Sequence, residues 1–466
     1  MTVTVQLGSA DNPLRVAIVG SGPSGFYAAE EMLQGPVAAE VTMIERLPVP
    51  FGLVRSGVAP DHPKLKQPMA VFDRIAQSPA FRYFGNVRLG VDVTLAELEP
   101  MFHAVILACG SQSERRLGIP GEDVAGSHAG TDFVGWYNGH PDHAGHRFDL
   151  TQESVVIVGQ GNVALDIARM LAKSVDELRH TDIAQHALDA LADSRVRDIH
   201  IVGRRGPAQV KFTPSELIEL GKIPGCDVVI DDAELALNEA SAVEAADKMS
   251  RNIASNLVIF HRFATSPRSA QRRRRCHFHF LLKPVRIEGA GRVERMRFER
   301  TQLEGAPFRQ GVRATGVATS IECGLVFRSI GYKGTPLPGV PFDEARAVVP
   351  NRAGRVVGVD TQPASLLYVT GWLKRGPTGI IGTNKADSME TVATLLSELP
   401  NLANMRKEGA ERLARHLDMC SHMYVNYADW KRIDEHEVLR GIPIGKPREK
   451  LVIEREMLRA AGKVTV

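Results

Sequence analysis

Cysteine is scarce in this chain of 466 residues, and the five present are dispersed: Cys109, Cys226, Cys276, Cys323 and Cys420. None belongs to a CxxC, so neither a redox dithiol nor a zinc-ligand spacing is present, and the pattern suits a reducing compartment. No apolar run approaches the roughly 18 residues that a membrane-spanning helix requires. The opening MTVTVQLGSADNP lacks the basic-then-apolar order of a secretory signal. Charge of one sign is lacking too: 57 Lys and Arg against 54 Asp and Glu leave a net +3, too little to indicate nucleic acid. There is no Walker-type phosphate loop and no HExxH motif, and no metal centre is expected. A cytoplasmic, monomeric globular protein is the expectation, of about three domains by length alone.

What is present begins at Gly20. Val16 to Val19 is an apolar run of strand character, and Gly20, Gly22 and Gly25 give GxGxxG where the strand should become a helix. The glycines would allow a tight turn, close approach of backbone to a pyrophosphate, and packing of helix on strand. The free N–H groups and the positive dipole end of that helix would face phosphates. A second strand, residues 40–44, ends in Glu45, about twenty residues on, where a carboxylate would accept hydrogen bonds from a ribose. Strand, glycines, helix, strand and acid in that order point to a dinucleotide.

A second unit of the same kind opens at residue 154. Gly159, Gly161 and Ala164 form GxGxxA between an apolar strand and a helix, so two dinucleotides are expected. The strand at 199–202 ends in Gly203-Arg204-Arg205, not in an acid. Paired guanidiniums suit a 2′-phosphate, hence NADP and not NAD. The interval from Ala164 is about twice the usual one, so a helical insertion over 174–194 is expected. Glu216, in FTPSELIEL, has the spacing to complete a capping box with Thr213. The run Arg272 to Arg275 reads as a solvated edge that discourages strand pairing, with Phe278 and Phe280 facing core. Residues 231–253 read as helix.

Three longer stretches carry a resemblance. After Glu45 the chain reads Pro48, Pro50, Phe51-Gly52-Leu53-Val54-Arg55, then Gly57-Val58-Ala59-Pro60-Asp61-His62-Pro63; later come GWLKRGPTGIIGTN from Gly371 and GKPREK from Gly445. Together they resemble the adrenodoxin reductase type of ferredoxin–NADP reductase, over nearly the whole chain. The resemblance implies an α/β fold of two Rossmann-like dinucleotide-binding domains. The NADP domain (116–328) would be inserted in a discontinuous FAD domain (1–115 and 329–466). It implies FAD and NADP as cofactors and electron flow from NADPH to a one-electron acceptor, an acidic iron–sulfur ferredoxin.

By the same resemblance and the motifs above, FAD would be held by Gly20, Gly22, Ser24, Gly25, Glu45, Leu53, Leu89, Trp372, Gly379, Ile380 and Ile381. NADP would be held by Arg115, Gln160, Gly161, Asn162, Val163, Arg204, Arg205, Glu216 and Gly379. His62 would hydrogen-bond near the flavin ring or simply hold its turn, and His62 and Glu216 are the residues expected to tune the reaction. A flavin disulfide reductase would share the architecture but needs a CxxC. An NADPH-dependent flavin monooxygenase, or a diaphorase with a small-molecule acceptor, is the alternative.

Overall fold

The computed structural model describes residues 6–268, 272–358, 363–402 and 404–464. The chain divides into two compact units, Met1–Ser113 together with Tyr332–Val466, and Glu114–Gly331. Gln271, at the head of the arginine run, lies outside the described residues.

The first unit is organised on the strand Leu14–Val19, flanked in parallel by Ala39–Glu45 and Ala104–Leu107. Phe81–Gly85 extends the sheet on one side and Pro363–Val369 on the other, giving five parallel strands. Two short strands, Arg355–Val357 and Asn351–Arg352, continue it antiparallel. Both faces are covered, which is why these strands read as continuous apolar runs instead of alternating. Val16, Ile18 and Met43 face a core with Phe26, Phe72 and Trp430, while Ala17, Val19 and Leu107 face another with Val369. Helix Pro23–Leu33 is held against helix Thr383–Ser397 by two buried bonds. Ser24 Oγ donates to Asn384 Oδ1 at 3.1 Å, and Ser388 Oγ donates to the Ser24 carbonyl at 2.9 Å.

The second unit repeats the pattern. Its six-stranded sheet runs in the order Ser127–Ala129, Leu325–Arg328, Ser154–Val158, Asp198–Val202, Arg274–His279, Cys226–Val229, and every pairing is parallel. One face buries Val155, Ile157, Ile199 and Phe278. The other packs Val156, Val158 and Val202 against Leu282, Met296 and Phe298. Those last three come from an antiparallel sheet of Leu282–Glu288, Arg295–Glu304 and Gly311–Glu322, an element that the sequence analysis does not anticipate. The expected insertion is present as helices Val175–Leu178 and Gln185–Ala192.

Two expectations are corrected. The arginine run guards no edge, because Arg274–His279 is an interior strand paired on both sides. Arg272 Nη1 reaches Asp227 Oδ1 at 3.0 Å, and Arg275 Nη2 reaches Asp198 Oδ2 at 2.7 Å. Arg274 Nη1 donates to the Ala172 and Lys173 carbonyls at 3.1 and 2.8 Å. It thereby caps the C-terminus of helix Asn162–Ala172 with a cation. The stretch 231–253 is not one helix but a 3-10 turn, Asp232–Leu235, helix Glu239–Ala246 and the start of helix Arg251–Thr265. Phe278 and Phe280 are buried as expected.

Candidate functional site

At Gly20 the first strand turns into its helix with φ +107°, and a Cβ there would lie 2.5 Å from the Ala108 carbonyl oxygen. At Gly25 a Cβ would lie 2.1 Å from the Gly20 carbonyl oxygen, so any side chain would lift the helix from the strand. Gly22 is the opposite case. It is the N-cap of helix Pro23–Leu33, no side chain caps that helix, and a Cβ on Gly22 would meet nothing within 4 Å. Open space in front of uncapped N–H groups is what a pyrophosphate fits. Glu45 stands beside this turn. Its Oε2 accepts from Ser21 N at 3.0 Å and Ser21 Oγ at 2.6 Å, and its Oε1 accepts from Leu47 N at 3.1 Å. Burial, reinforced by the Glu45 charge, pushes the Tyr83 phenol well above its usual range. The same two causes push the Cys109 thiol up to about 12, so this cysteine is no nucleophile.

The loop after Glu45 is braced from the far end of the chain. Buried Arg55 lies with Nη2 2.5 Å from Glu437 Oε1 and its guanidinium 5.3 Å from the Trp430 ring centroid. Glu437 Oε1 also accepts from Leu451 N at 2.9 Å, and Lys450 Nζ donates to the Arg55 carbonyl at 3.2 Å. This gives the GKPREK stretch a physical role. The loop carries Leu53, which opens helix Leu53–Ser56 and is 37% exposed, and His62, which is buried. The His62 amide donates to the Ala59 carbonyl at 3.0 Å and its carbonyl accepts from Leu65 N at 3.1 Å. Leu89 is buried among Val87 and Val93.

The turn after Gly371 has exposed amides. Trp372 is half-buried, its Nε1 donating to the Thr378 carbonyl at 3.2 Å and its ring tilted on Tyr332 at 5.3 Å. Among the described residues, no protein acceptor takes the amides of Gly379, Ile380 and Ile381; backbone N–H groups left open in this way suit the acceptor edge of a flat heterocycle. Asp387 fixes the turn: its Oδ2 accepts from Gly371 N at 2.5 Å and Arg375 Nη1 at 3.1 Å, and its Oδ1 lies 3.0 Å from Lys374 Nζ.

The second unit has a matching cradle. Gly159 adopts φ +139°, and a Cβ would lie 2.0 Å from the Ser329 carbonyl oxygen; Gly161 caps helix Asn162–Ala172 with open space around it and no side-chain cap. Gln160 Nε2 donates to the His279 carbonyl at 3.1 Å, and half-buried Val163 packs on the core. The backbone of the arginine pair is pinned, with Thr301 Oγ1 donating to the Arg204 carbonyl at 2.7 Å and Leu281 N to the Arg205 carbonyl at 3.0 Å. Among the described residues, no carboxylate lies within ion-pair reach of Arg204, Arg205 or Arg115. Arg205 still feels the charge of Glu244, but guanidiniums outside any close ion pair fit a phosphate. Both cradles therefore fit the dinucleotides expected of them.

Glu216 is a correction. Helix Pro214–Gly221 has no side-chain cap, and no capping box forms. The Thr213 amide that the box requires donates instead to Asn162 Oδ1 at 3.0 Å. Glu216 turns to the fully buried Arg169, whose Nη1 lies 2.6 Å from Glu216 Oε2 and whose Nη2 lies 2.5 Å from Asp166 Oδ1. Arg55, Arg169 and Asp387 are positioning residues that sequence reasoning missed. Glu437 is 382 residues from Arg55 and Glu216 is 47 from Arg169, so no local spacing signals those pairs, although Asp166 lies three residues before Arg169 on its own helix.

The family model described as pyridine nucleotide-disulphide oxidoreductase matches residues 14–203. NADPH-ferredoxin reductase FprA of Mycobacterium leprae is 45% identical over 454 residues, covering 95% of this chain and 97% of that one. The mitochondrial NADPH:adrenodoxin oxidoreductase of Bos taurus is 41% identical over 461 residues, covering 96% and 92%. The solved structure of Mycobacterium tuberculosis FprA in complex with NADPH matches with a TM-score of 0.90 at 43% identity, covering 96% of this chain and 99% of that one. Identity of this degree over nearly full length, on a fold with two dinucleotide cradles, means that the chain belongs to the NADPH–ferredoxin and adrenodoxin reductase family of FAD- and NADP(H)-dependent oxidoreductases.

Proposed function

We propose that the chain passes electrons from NADPH to an acidic iron–sulfur ferredoxin, acting as a monomer in the cytoplasm. The observation that carries this reading is the unlike chemistry of the two cradles in one chain. One has a carboxylate, Glu45, beside its glycine turn; the other has Arg204 and Arg205 at the end of its second strand. The first suits the ribose of FAD and the second the 2′-phosphate of NADP. We assign FAD to the unit built from the chain's two ends and NADP to the central one. Bound FAD supplies the coupling between two-electron hydride chemistry and one-electron transfer.

The residues divide the work accordingly. Gly20, Gly22 and Gly25 leave room for the FAD pyrophosphate, and Ser24 holds their helix in place. Leu53, Leu89 and Trp372 give it apolar surface, and the amides of Gly379, Ile380 and Ile381 donate to it. Gln160, Gly161, Asn162 and Val163 open the second helix toward the NADP phosphates, and Arg115, Arg204 and Arg205 supply positive charge. His62 and Glu216 tune the reaction, for hydride transfer itself requires no general base.

A net charge of +3, with unpaired arginines on the surface, supports an acidic partner drawn by long-range attraction. Among the described residues no helix is long and apolar enough to cross a membrane. The test is NADPH-dependent reduction of cytochrome c by the yellow holoprotein. It should depend on added ferredoxin and should slow as salt rises from about 0.01 to 0.15 M, where the Debye length shrinks from about 30 to 8 Å. Turnover that ignores ferredoxin, with oxygen or a quinone as the better acceptor, would favour the monooxygenase or diaphorase reading.

A further inference from the structure

Immediately after helix Gly130–Tyr137 the chain reads His140-Pro-Asp-His143-Ala-Gly-His146, three histidines at three-residue spacing that the nucleotide chemistry leaves unused. The loop is folded back on the helix. His140 N donates to the Gly135 carbonyl at 2.8 Å, Ala144 N to the His140 carbonyl at 2.9 Å, and His146 N to the His143 carbonyl at 3.1 Å. Gly135 makes the fold possible: a Cβ there would lie 2.3 Å from His143 Cδ2 and 2.6 Å from its Cγ. The imidazole thus lies across the bare backbone of the helix, one turn along from Asp132.

That seat brings three donor atoms together. His143 Nδ1 lies 3.3 Å from Asp132 Oδ1, and His146 Nε2 lies 3.9 Å from the same oxygen. All three lie within 4.8 Å of one another. The rings of His143 and His146 are stacked at 5.6 Å and 21°. His143 Nδ1 is shielded from solvent, yet makes no hydrogen bond, since its approach to the carboxylate lacks the angle for one.

An acid in the first turn of a helix is commonplace. Two imidazoles gathered on that acid, one with a buried lone nitrogen, are not accounted for by the helix dipole. Tetrahedral ligands at about 2.0–2.1 Å from a zinc ion stand about 3.3–3.4 Å apart, which is the His143–Asp132 separation; His146, 3.9 Å from the same oxygen, has to move closer. We propose that Asp132, His143 and His146 bind a divalent first-row transition metal ion of the zinc type, with water in the fourth position. Two nitrogens to one carboxylate favour such an ion over magnesium or calcium. Side-chain exposures of 27%, 22% and 38% leave the open position facing solvent. The ion would clamp the histidine loop to its helix.

The test is a titration of the tag-free, chelator-treated FAD holoprotein with cobalt(II). One saturable equivalent should bind with the visible bands of four-coordinate cobalt, zinc should displace it, and a chelator-reversible rise in thermal midpoint should accompany it. Asp132→Asn and His146→Gln should each weaken binding by at least about 100-fold, beyond the about 10–100-fold that an outer-shell partner costs. His140→Gln should bind as the parent does. His146 is the most exposed of the three, so its variant should keep its circular dichroism and FAD content. Absence of a saturable cobalt band in the parent would overturn the proposal. So would bands that persist unchanged in both ligand variants, because the ion would then sit elsewhere.

Discussion

Replacing Arg204 and Arg205 together by Ala should abolish the preference for NADPH over NADH without loosening the fold. Charge-assisted contacts contribute about 1.5–3 kcal/mol each when well formed. Arg204 is exposed and Arg205 half-buried, so solvent screening puts the pair at the lower end, about 2–4 kcal/mol together. At 1.4 kcal/mol per factor of ten, that is about 30- to 700-fold in relative affinity. Neither guanidinium closes an ion pair among the described residues, and Glu244, which feels the Arg205 charge, keeps its bonds from Gln209, Gln310 and the Phe308 amide. The change in stability should stay within about 0.5 kcal/mol. The assay is steady-state ferricyanide reduction with each coenzyme, alongside urea unfolding of both proteins. The NADPH Michaelis constant should rise while the NADH constant barely moves. If both constants rise alike at unchanged stability, the arginines shape the cradle and do not read the 2′-phosphate.

Arg169→Met should destabilise the protein by about 3–5 kcal/mol in urea, because Glu216 and Asp166 lose the buried cation between them; a loss under about 1 kcal/mol would show that the pair adds little. Gly25→Ala sets a Cβ 2.1 Å from the Gly20 carbonyl oxygen and should cost FAD retention, read as flavin absorbance per chain after gel filtration; a fully yellow variant would refute the cradle. Burial, then the charges of neighbouring histidines, hold His200 at about 3 and His279 at about 4. Both are neutral when folded and the unfolded chain binds the extra protons, so their stability is intact above about pH 6.5 and lost as pH falls toward about 4. His200→Gln should therefore lose less of its urea midpoint than the parent between about pH 7 and about pH 5; equal losses would place the acid sensitivity elsewhere.

The parallel strands and both glycine turns are legible in the sequence because their causes are local. A strand buried on two faces must be apolar throughout, and a turn where a Cβ would lie 2.5 Å from a carbonyl oxygen admits only glycine. The antiparallel strand Gly311–Glu322 is illegible for the converse reason. Most of its residues are exposed, so neither face is forced to be apolar and no period of two is imposed. Distance along the chain hides contacts in the same way. Cys226 and Cys276, fifty residues apart, bring their buried sulfurs to 3.4 Å because their strands are neighbours in the second sheet. Four successive arginines look like a charged edge until the carbonyls that end helix Asn162–Ala172 are seen to need a cation.

Glu216 shows how a correct local rule can meet a stronger distant one. Its spacing from Thr213 satisfies the capping box, whose return bond needs the Thr213 amide. That amide is already taken by Asn162, a residue of the second cradle at the start of its helix. With that donor engaged, the return bond of the box does not form. A fully buried Arg169 cannot remain without anions, since an unpaired interior charge costs several kcal/mol. The arginine therefore draws Glu216 and Asp166 to itself. The side chain of Asn162 thus takes the donor that the capping box would have used. A change at that asparagine should disturb both the opening of the second cradle and the carboxylate that is proposed to tune the reaction.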